Sequence, residues 1–349
     1  MRNDMQSRLQ VYFAHAFPDR PEAQISDLVS LSAGWESDVY AFRVEYGPAG
    51  ARQGEELILR IYPGDDGRSK SAREFHGLNR LYQAGYPVPQ VLFLERENSP
   101  FGQPFIIMER IQGELLWPRL SNAPEAEQAE LLTLFCRLFV QLHTLAWQPL
   151  VDDVSLYDTG NPYLFIEREL SRWRSFFDRF PKPGFLPLFD WLERRRDQAS
   201  CLRPSLIHWD FHPANILLRP NGSAVVIDWT QLDISDARFD LAWTLLLAGT
   251  HGNAAWRDAI LQEYERLMGA RVEALAYFEV AACVKRLFSV VISLTDGPEK
   301  LGMRPDAVAM MKQQLGAIKR VYDLLLERTG IEVPEVEALL ASSFMPADE

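Results

Sequence analysis

Hydrophobic and polar positions alternate with a period of two over residues 41–46. Phe42, Val44 and Tyr46 fall on one side and Ala41, Arg43 and Glu45 on the other, the pattern of a half-buried strand. The run ELILRIY repeats it, with Leu57, Leu59 and Ile61 opposite Ile58, Arg60 and Tyr62. The Gly- and Pro-rich stretch 47–54 between them reads as a turn. Ala72, Phe75, Leu78 and Leu81 then recur at helical spacing, and Gly85 stands where a helix C-terminus favours a left-handed residue. Two further apolar runs, VPQVLFLE and PFIIMER, follow proline. The pattern predicts a small, mostly antiparallel sheet with one helix against it.

Beyond Gly113 the period changes. Leu131, Leu134, Phe135, Leu138, Phe139, Leu142 and Leu145 form a helical stripe. Strand-like runs reappear only at LIHW, NILL and AVVIDW. Helical patterns then cover 240–247, 254–268, 274–294 and 306–328. The chain therefore divides into a strand-rich part, 1–111, and a helix-rich part, 112–349. No internal repeat or low-complexity tract interrupts either.

Composition narrows the classes. Of 349 residues 47% are hydrophobic and 24% charged, ordinary for a globular chain and unlike a disordered one. The net charge of −12 makes nucleic acid an unsuitable partner, because phosphate backbones call for clustered cations. Three cysteines, Cys136, Cys201 and Cys283, are too few and too odd for a disulfide framework. The opening MRNDMQSRLQ is polar where a secretory signal is apolar, and no uncharged apolar run approaches the ~18 residues of a membrane span. The expectation is a soluble, cytoplasmic chain with no membrane partner.

Several familiar motifs are absent. There is no G-x-G, no G-K-[ST], no H-E-x-x-H and no G-x-S-x-G. What stands out instead is LIHWDFHPANILLRPNGSAVVIDW, in which His208, Asp210, Asn215 and Asp228 punctuate apolar runs. The NGS turn between Leu218 and Ala224 makes a hairpin, which would bring Asn215 and Asp228 to one end, with Asp210 on a loop facing the same point. Two carboxylates and an amide oxygen are hard ligands, suited to Mg²⁺ held together with substrate phosphates. Singly, each reads as a capping or turn residue. The order H-x-D-x-x-x-x-N followed by a strand ending in Asp is that of a phosphoryl-transfer catalytic loop.

In detail the stretch resembles the aminoglycoside phosphotransferase and choline-kinase-like small-molecule kinases, whose pattern is close to H-G-D-x-H-P-G-N, then I-D-W, then D-P-x-x-D-L-A. The matches are HWDFHPAN (208–215), IDW (227–229) and SDARFDLA (235–242). The departures are Trp209, Ala214 and Ala237, where glycine, glycine and proline are usual. They touch loop shape rather than ligand atoms. The resemblance covers roughly residues 25 to 330. It implies an α+β, bilobal protein-kinase-like fold, with a small antiparallel-sheet N-lobe carrying one helix and a larger, mainly helical C-lobe.

The resemblance also implies roles. Asp210 would orient the acceptor hydroxyl and take its proton, and Asn215 and Asp228 would hold Mg²⁺. Arg60, paired with Glu74, would contact the phosphates, and period-2 geometry places Ile58 beside it, under the adenine. Gly34 in SAGWESDVY (32–40) would lie in the loop covering the phosphates. Met108, Glu109 and Ile111 would form the interlobe hinge that reads the adenine edge. His208 and Asp240 would brace the catalytic loop, Asp240 also capping the helix that it begins. His143, His212 and the row Trp173, Phe176, Phe177 and Phe180 read as local structure or core.

The implied activity is Mg²⁺-dependent transfer of the γ-phosphate of ATP or GTP to a hydroxyl of a small molecule. Acceptors in the group include aminoglycosides, macrolides, choline, homoserine and sugars. A nucleotide-binding pseudokinase acting as a regulatory module is the alternative. Phosphorylation of proteins fits poorly, since A-P-E is absent.

Overall fold

In the computed structural model the described residues are 2–20, 22–31, 37–48, 51–157, 160–201, 203–304 and 307–343. In chain order the elements are α1 (Arg2–Ala16), β1 (Gln24–Ser30), β2 (Asp38–Tyr46), β3 (Gln53–Ile61), α2 (Gly67–Gln83), β4 (Val91–Glu95), β5 (Phe105–Glu109) and β6 (Glu114–Leu115). There follow α3 (Leu116–Asn122), α4 (Glu125–Thr144), α5 (Leu164–Arg179), α6 (Leu186–Arg194), β7 (Ser205–Ile207), β8 (Ile216–Leu218), β9 (Ala224–Val226) and β10 (Asp233–Ser235). The chain closes with α7 (Ala237–Leu247), α8 (Ala254–Met268), α9 (Leu275–Thr295), α10 (Ala307–Gln313), α11 (Leu315–Thr329) and α12 (Pro334–Ser343).

Two compact units divide the chain. The first joins Met1–Leu115 to Ile216–Thr230. Its five-stranded sheet runs β1-β2-β3-β5-β4, every pair antiparallel. The alternation works as the pleat demands. Phe42, Val44, Leu57, Leu59, Ile61, Phe105 and Ile107 bury one face in a core that also takes Leu9 and Phe13 of α1. Arg60, opposite Val39 and Ile106 in register, belongs to the other face. A second sheet, β6-β8-β9, pairs Ile216 with Val226 and Leu218 with Ala224. Gly113 lies so close to the Leu218 carbonyl that a Cβ there would sit 2.3 Å from its oxygen, so no other residue fits.

The second unit is Leu116–Asn215 with Gln231–Glu349. Its core gathers α5, α6, α7, α9, α11 and α12 around Phe185, Phe278, Leu287 and Leu325. The short antiparallel pair β7–β10 aligns Ile207 with Asp233 and carries the loop that follows His208.

Several boundaries differ from the sequence reading. Among the described residues the first unit holds two helices rather than one, and β1 adds a strand. β3 starts at Gln53, inside the stretch read as a turn, because Gly54 is taken into the ladder opposite Glu45. α7 starts at Ala237, not Asp240, since Asp236 caps it by accepting the Arg238 N–H at 2.9 Å. Asp240 therefore sits one turn inside the helix and does not cap it. The pattern over 306–328 is two helices broken at Gln314, whose side chain accepts from Arg286 at 3.0 Å.

Candidate active site

The first unit builds a charged cluster on the sheet face that carries Arg60. Its guanidinium is held on every side. Nη1 donates to Glu74 Oε1 at 3.0 Å, Nη2 to Asp228 Oδ1 at 2.7 Å and Nε to Ser37 Oγ at 2.9 Å. Glu74 comes from α2, where it occupies a core position of the buried stripe Ser71, Glu74, Leu78 and Leu81. A buried carboxylate there is tolerable only because both oxygens are paired. Tyr62 Oη supplies the second partner, donating to Oε2 at 2.6 Å. Burial pushes the Glu74 carboxyl upward and the Asp228 charge adds to this, while Arg60 and Tyr62 restrain it. Burial opposes the charge on Arg60, but Glu74 and Asp228 outweigh it and hold the guanidinium firmly protonated.

Asp228 follows β9 with a backbone φ of +68°, a left-handed conformation that aspartate tolerates better than most residues. It uses Oδ1 on Arg60, and among the described residues Oδ2 accepts no hydrogen bond. Ile58 lies on the same side of β3 as Arg60, opposite Met108 of β5. In the 108–111 segment the Glu109 and Arg110 N–H groups are committed to the carbonyls of Gln90 and Glu56. Glu109 Oε1 accepts from Arg219 at 2.7 Å. Ile111 is buried. Gly34 lies outside the described residues.

The second unit carries Asp210. Trp243 Nε1 donates to its Oδ1 at 3.0 Å, and Asn215 Nδ2 donates to its carbonyl at 3.0 Å and to Oδ2 at 3.3 Å. His212 Nε2 stands 3.4 Å from Oδ2. Burial pushes the Asp210 carboxyl up, yet the His212 hydrogen bond and charge, the Trp243 donor and the His208 charge together hold it well below the usual carboxylate range. The group is therefore an ionised acceptor at neutral pH. Asn215 spends its N–H donors on Asp210, and among the described residues its Oδ1 accepts no hydrogen bond.

The loop around Asp210 is pinned from α7. Asp240, fully buried, accepts the backbone N–H groups of His208 at 2.7 Å and Trp209 at 2.8 Å. His143 reaches Asp240 Oδ2 at 3.4 Å and the Tyr264 hydroxyl at 2.8 Å, which makes it a buried structural histidine. Thr244 Oγ1 donates to the Phe211 carbonyl at 2.6 Å, and Phe211 stacks on Phe139 with ring centres 4.2 Å apart. Trp209 has φ +66°. That is the left-handed region where glycine costs nothing, which explains why glycine is usual at this position. Here a buried indole occupies it. Trp173 and Phe180 are core, whereas Phe176 is exposed.

The sequence pattern does not point to Trp243 and Thr244. A signal was available, since they lie three and four residues past Asp240 and so share its helix face. Ser37 and Tyr62 are the corresponding additions around Arg60.

Each unit offers, by itself, an oxygen of the type that a divalent cation takes. Asn215 Oδ1 and Asp228 Oδ2 are hard oxygens free of hydrogen bonds among the described residues, the ligand type that Mg²⁺ takes alongside phosphates. No helix among the described residues is long and apolar enough to cross a membrane.

Comparison with known proteins places the chain in a family. A family model described as the phosphotransferase enzyme family matches residues 27–276. Among solved structures, a Ralstonia eutropha protein classed with the aminoglycoside phosphotransferases superposes with a TM-score of 0.64 at 18% identity, over 95% of this chain and 98% of that one. The aminoglycoside phosphotransferase APH(4)-Ia, solved with AMP-PNP and hygromycin B, gives 0.54 at 20% identity, over 90% and 98%. At such identities the likeness is one of fold. Among curated proteins, acyl-CoA dehydrogenase family member 11 of Gallus gallus is 27% identical over 242 residues, 65% of this chain and 28% of its own. That of Rattus norvegicus is 31% identical over 185 residues, 50% and 22%. The chain spans between 16% and 28% of the first such relatives. It belongs to the phosphotransferase enzyme family, on a protein-kinase-like α+β fold.

Proposed function

We propose that this small-molecule kinase transfers the γ-phosphoryl group of ATP or GTP to a hydroxyl of a small molecule, with Asp210 as the group that orients the hydroxyl and accepts its proton. The observation that carries the reading is the setting of Asp210. Its carboxylate is ionised, Oδ1 is fixed by Trp243, and Oδ2 is fixed by Asn215. A base so held loses little freedom on meeting its substrate, which is where positioning catalysis finds its advantage.

The remaining roles follow from the same chemistry. Asn215 and Asp228 would hold Mg²⁺, which when bound neutralises phosphate charge. Arg60 would meet the phosphates with a guanidinium that Glu74 and Ser37 already orient. Its bond to Asp228 would have to be exchanged for nucleotide contacts, so nucleotide binding breaks one ion pair in forming others. Ile58 would lie under the adenine, and Met108, Glu109 and Ile111 would offer backbone to its edge. With the Glu109 and Arg110 amides already committed, the Ile111 N–H is the donor that this edge would use.

Solved neighbours bear on the substrates. One carries AMP-PNP with hygromycin B, and another carries GDP. The curated relatives bear acyl-CoA dehydrogenase names, which brings hydroxylated acyl thioesters into the acceptor range beside aminoglycosides. The test is an ADP- or GDP-release screen of small hydroxyl compounds with Mg²⁺, run on the wild type and on Asp210→Asn. Transfer in the wild type and its loss in the variant support the reading. Nucleotide binding without transfer to any acceptor would favour a pseudokinase.

A further inference from the structure

Lys285, on α9, has an unusual setting. Its ammonium nitrogen lies 4.0 Å from the ring centre of Trp209 and 4.8 Å from that of Trp243. Both indoles belong to the Asp210 surroundings. Trp209 precedes Asp210 in the chain, and Trp243 donates its N–H to Asp210 Oδ1. A single indole therefore separates the lysine cation from the carboxylate assigned as the base. Two aromatic faces stabilise an ammonium through their quadrupoles, but they accept no conventional hydrogen bond from it.

Carboxylates stand near without serving it. Glu169, on α5, gives both oxygens to Arg172 Nη1, at 2.9 and 3.1 Å. Asp240, on α7, is taken by the His208 and Trp209 N–H groups and by His143. Asp210, on the loop, is taken by Trp243 and Asn215. Among the described residues none of these three makes an ion pair with Lys285. Burial pushes the lysine down to about 8, against the upward pull of Glu169, Asp210 and Asp240, and Arg172 adds a further downward push. The cation is thus incompletely compensated, and an external anion is what it lacks.

We propose that Lys285, on its Trp209–Trp243 platform, docks an anionic group of the phosphate acceptor beside the hydroxyl that Asp210 engages, so that the acceptor is a hydroxylated carboxylate or phosphate ester and not a polyamine. The inference rests on the assignment of Asp210 above. It gives Trp209 a use: the indole standing where glycine is usual forms half of the platform. A polycationic acceptor would meet a like charge at this point, which costs affinity.

The test is steady-state ADP release by the full chain with ATP and Mg²⁺ against hydroxy acids, glycerol 3-phosphate and hydroxyacyl-CoA, kanamycin, and glycerol. The first two arms separate a carboxylate from a phosphate anchor. The expected result is turnover in one of these anionic arms. Lys285→Met should raise the KM for that acceptor ~10- to 100-fold, the range of a lost charged hydrogen bond, with the nucleotide KM unchanged. The wild-type acceptor KM should rise as pH passes through about 8, where the ammonium loses its proton. Lys285→Arg, charged throughout, should remove that rise. An effect on folding alone would not produce this pH split. Turnover confined to kanamycin or glycerol, an acceptor KM unmoved by Lys285→Met, or a rise in the nucleotide KM instead would overturn the inference. If Asp210→Asn abolishes transfer to kanamycin while Lys285→Met leaves it intact, the base assignment stands and only the anion subsite falls. If no arm is turned over, both fall.

Discussion

Asp240→Asn changes one atom pair in a fully buried side chain. In the wild type the carboxylate accepts two backbone N–H bonds, from His208 at 2.7 Å and Trp209 at 2.8 Å. An asparagine can keep one of these with its carbonyl oxygen. Its NH₂ then faces the other N–H, donor against donor. The lost charge-assisted bond is worth about 1.5–3 kcal/mol, and the retained bond weakens by about 1 kcal/mol once the charge is gone. The variant should therefore lose about 2.5–4 kcal/mol in urea unfolding. At about 2–4 °C per kcal/mol for a unit of this size, that corresponds to a fall of order 10 °C in melting temperature. The two N–H groups belong to the residues just before Asp210, so the loop should also shift. A displacement near 1 Å at a reacting group costs on the order of 100-fold in kcat. Denaturation and ADP-release kinetics on the same preparation check both effects. An Asp240→Asn protein with wild-type stability and wild-type kcat would refute the argument that this carboxylate anchors the loop.

Three further outcomes are expected. Trp243→Phe removes the donor to Asp210 Oδ1 while keeping most of the ring, so kcat should fall ~10- to 100-fold with the fold intact. The acid limb of its pH–rate profile should also move upward, because that donor helps hold Asp210 ionised. Trp209→Gly relieves about 1–2 kcal/mol of left-handed strain but gives up a buried indole worth about 3–5 kcal/mol, so chemical denaturation should show a net loss of about 1–4 kcal/mol. The depressed Asp210 carboxyl stabilises the folded chain above the ordinary carboxylate range, and that contribution disappears as pH falls below 3.8 towards its folded-state value. The stability gap between wild type and Asp210→Asn should accordingly narrow on acidification, and a gap independent of pH would contradict the assigned cause.

The legible elements were those whose burial follows their own period. β2 and β3 show it, burying Phe42 and Val44, and Leu57, Leu59 and Ile61, on the face that meets a core, whereas β5 is buried on both faces over 105–108 and reads only as an apolar run. β1 escaped because Asp27 takes φ +54° and shifts the register between Ser26 and Val29, leaving Ile25 and Leu28 buried three residues apart. That spacing is neither a strand's nor, over so short a run, a helix's. α1 buries Leu9 and Phe13 in an otherwise polar stretch, too thin a stripe to register. At the candidate site, Asp210 and Asn215 are readable because they stand five positions apart on one loop. The Arg60–Glu74 pair was readable only through the resemblance. Lys285 was not readable at all, since its partners Trp209 and Trp243 lie 76 and 42 positions away in sequence, and only tertiary packing joins them.

On the proposed function, Asp210 carries the transfer step. Asp210→Asn retains the side-chain shape and can still accept from Trp243 through its amide oxygen, so the fold should survive. The decisive measurement is ADP release with Mg²⁺ and the acceptor found for the wild type, alongside nucleotide binding by calorimetry. Nucleotide affinity should stay close to wild type while transfer falls at least ~1,000-fold, the upper part of the range for loss of a positioned base. An Asp210→Asn protein that turns over at the wild-type rate would contradict it.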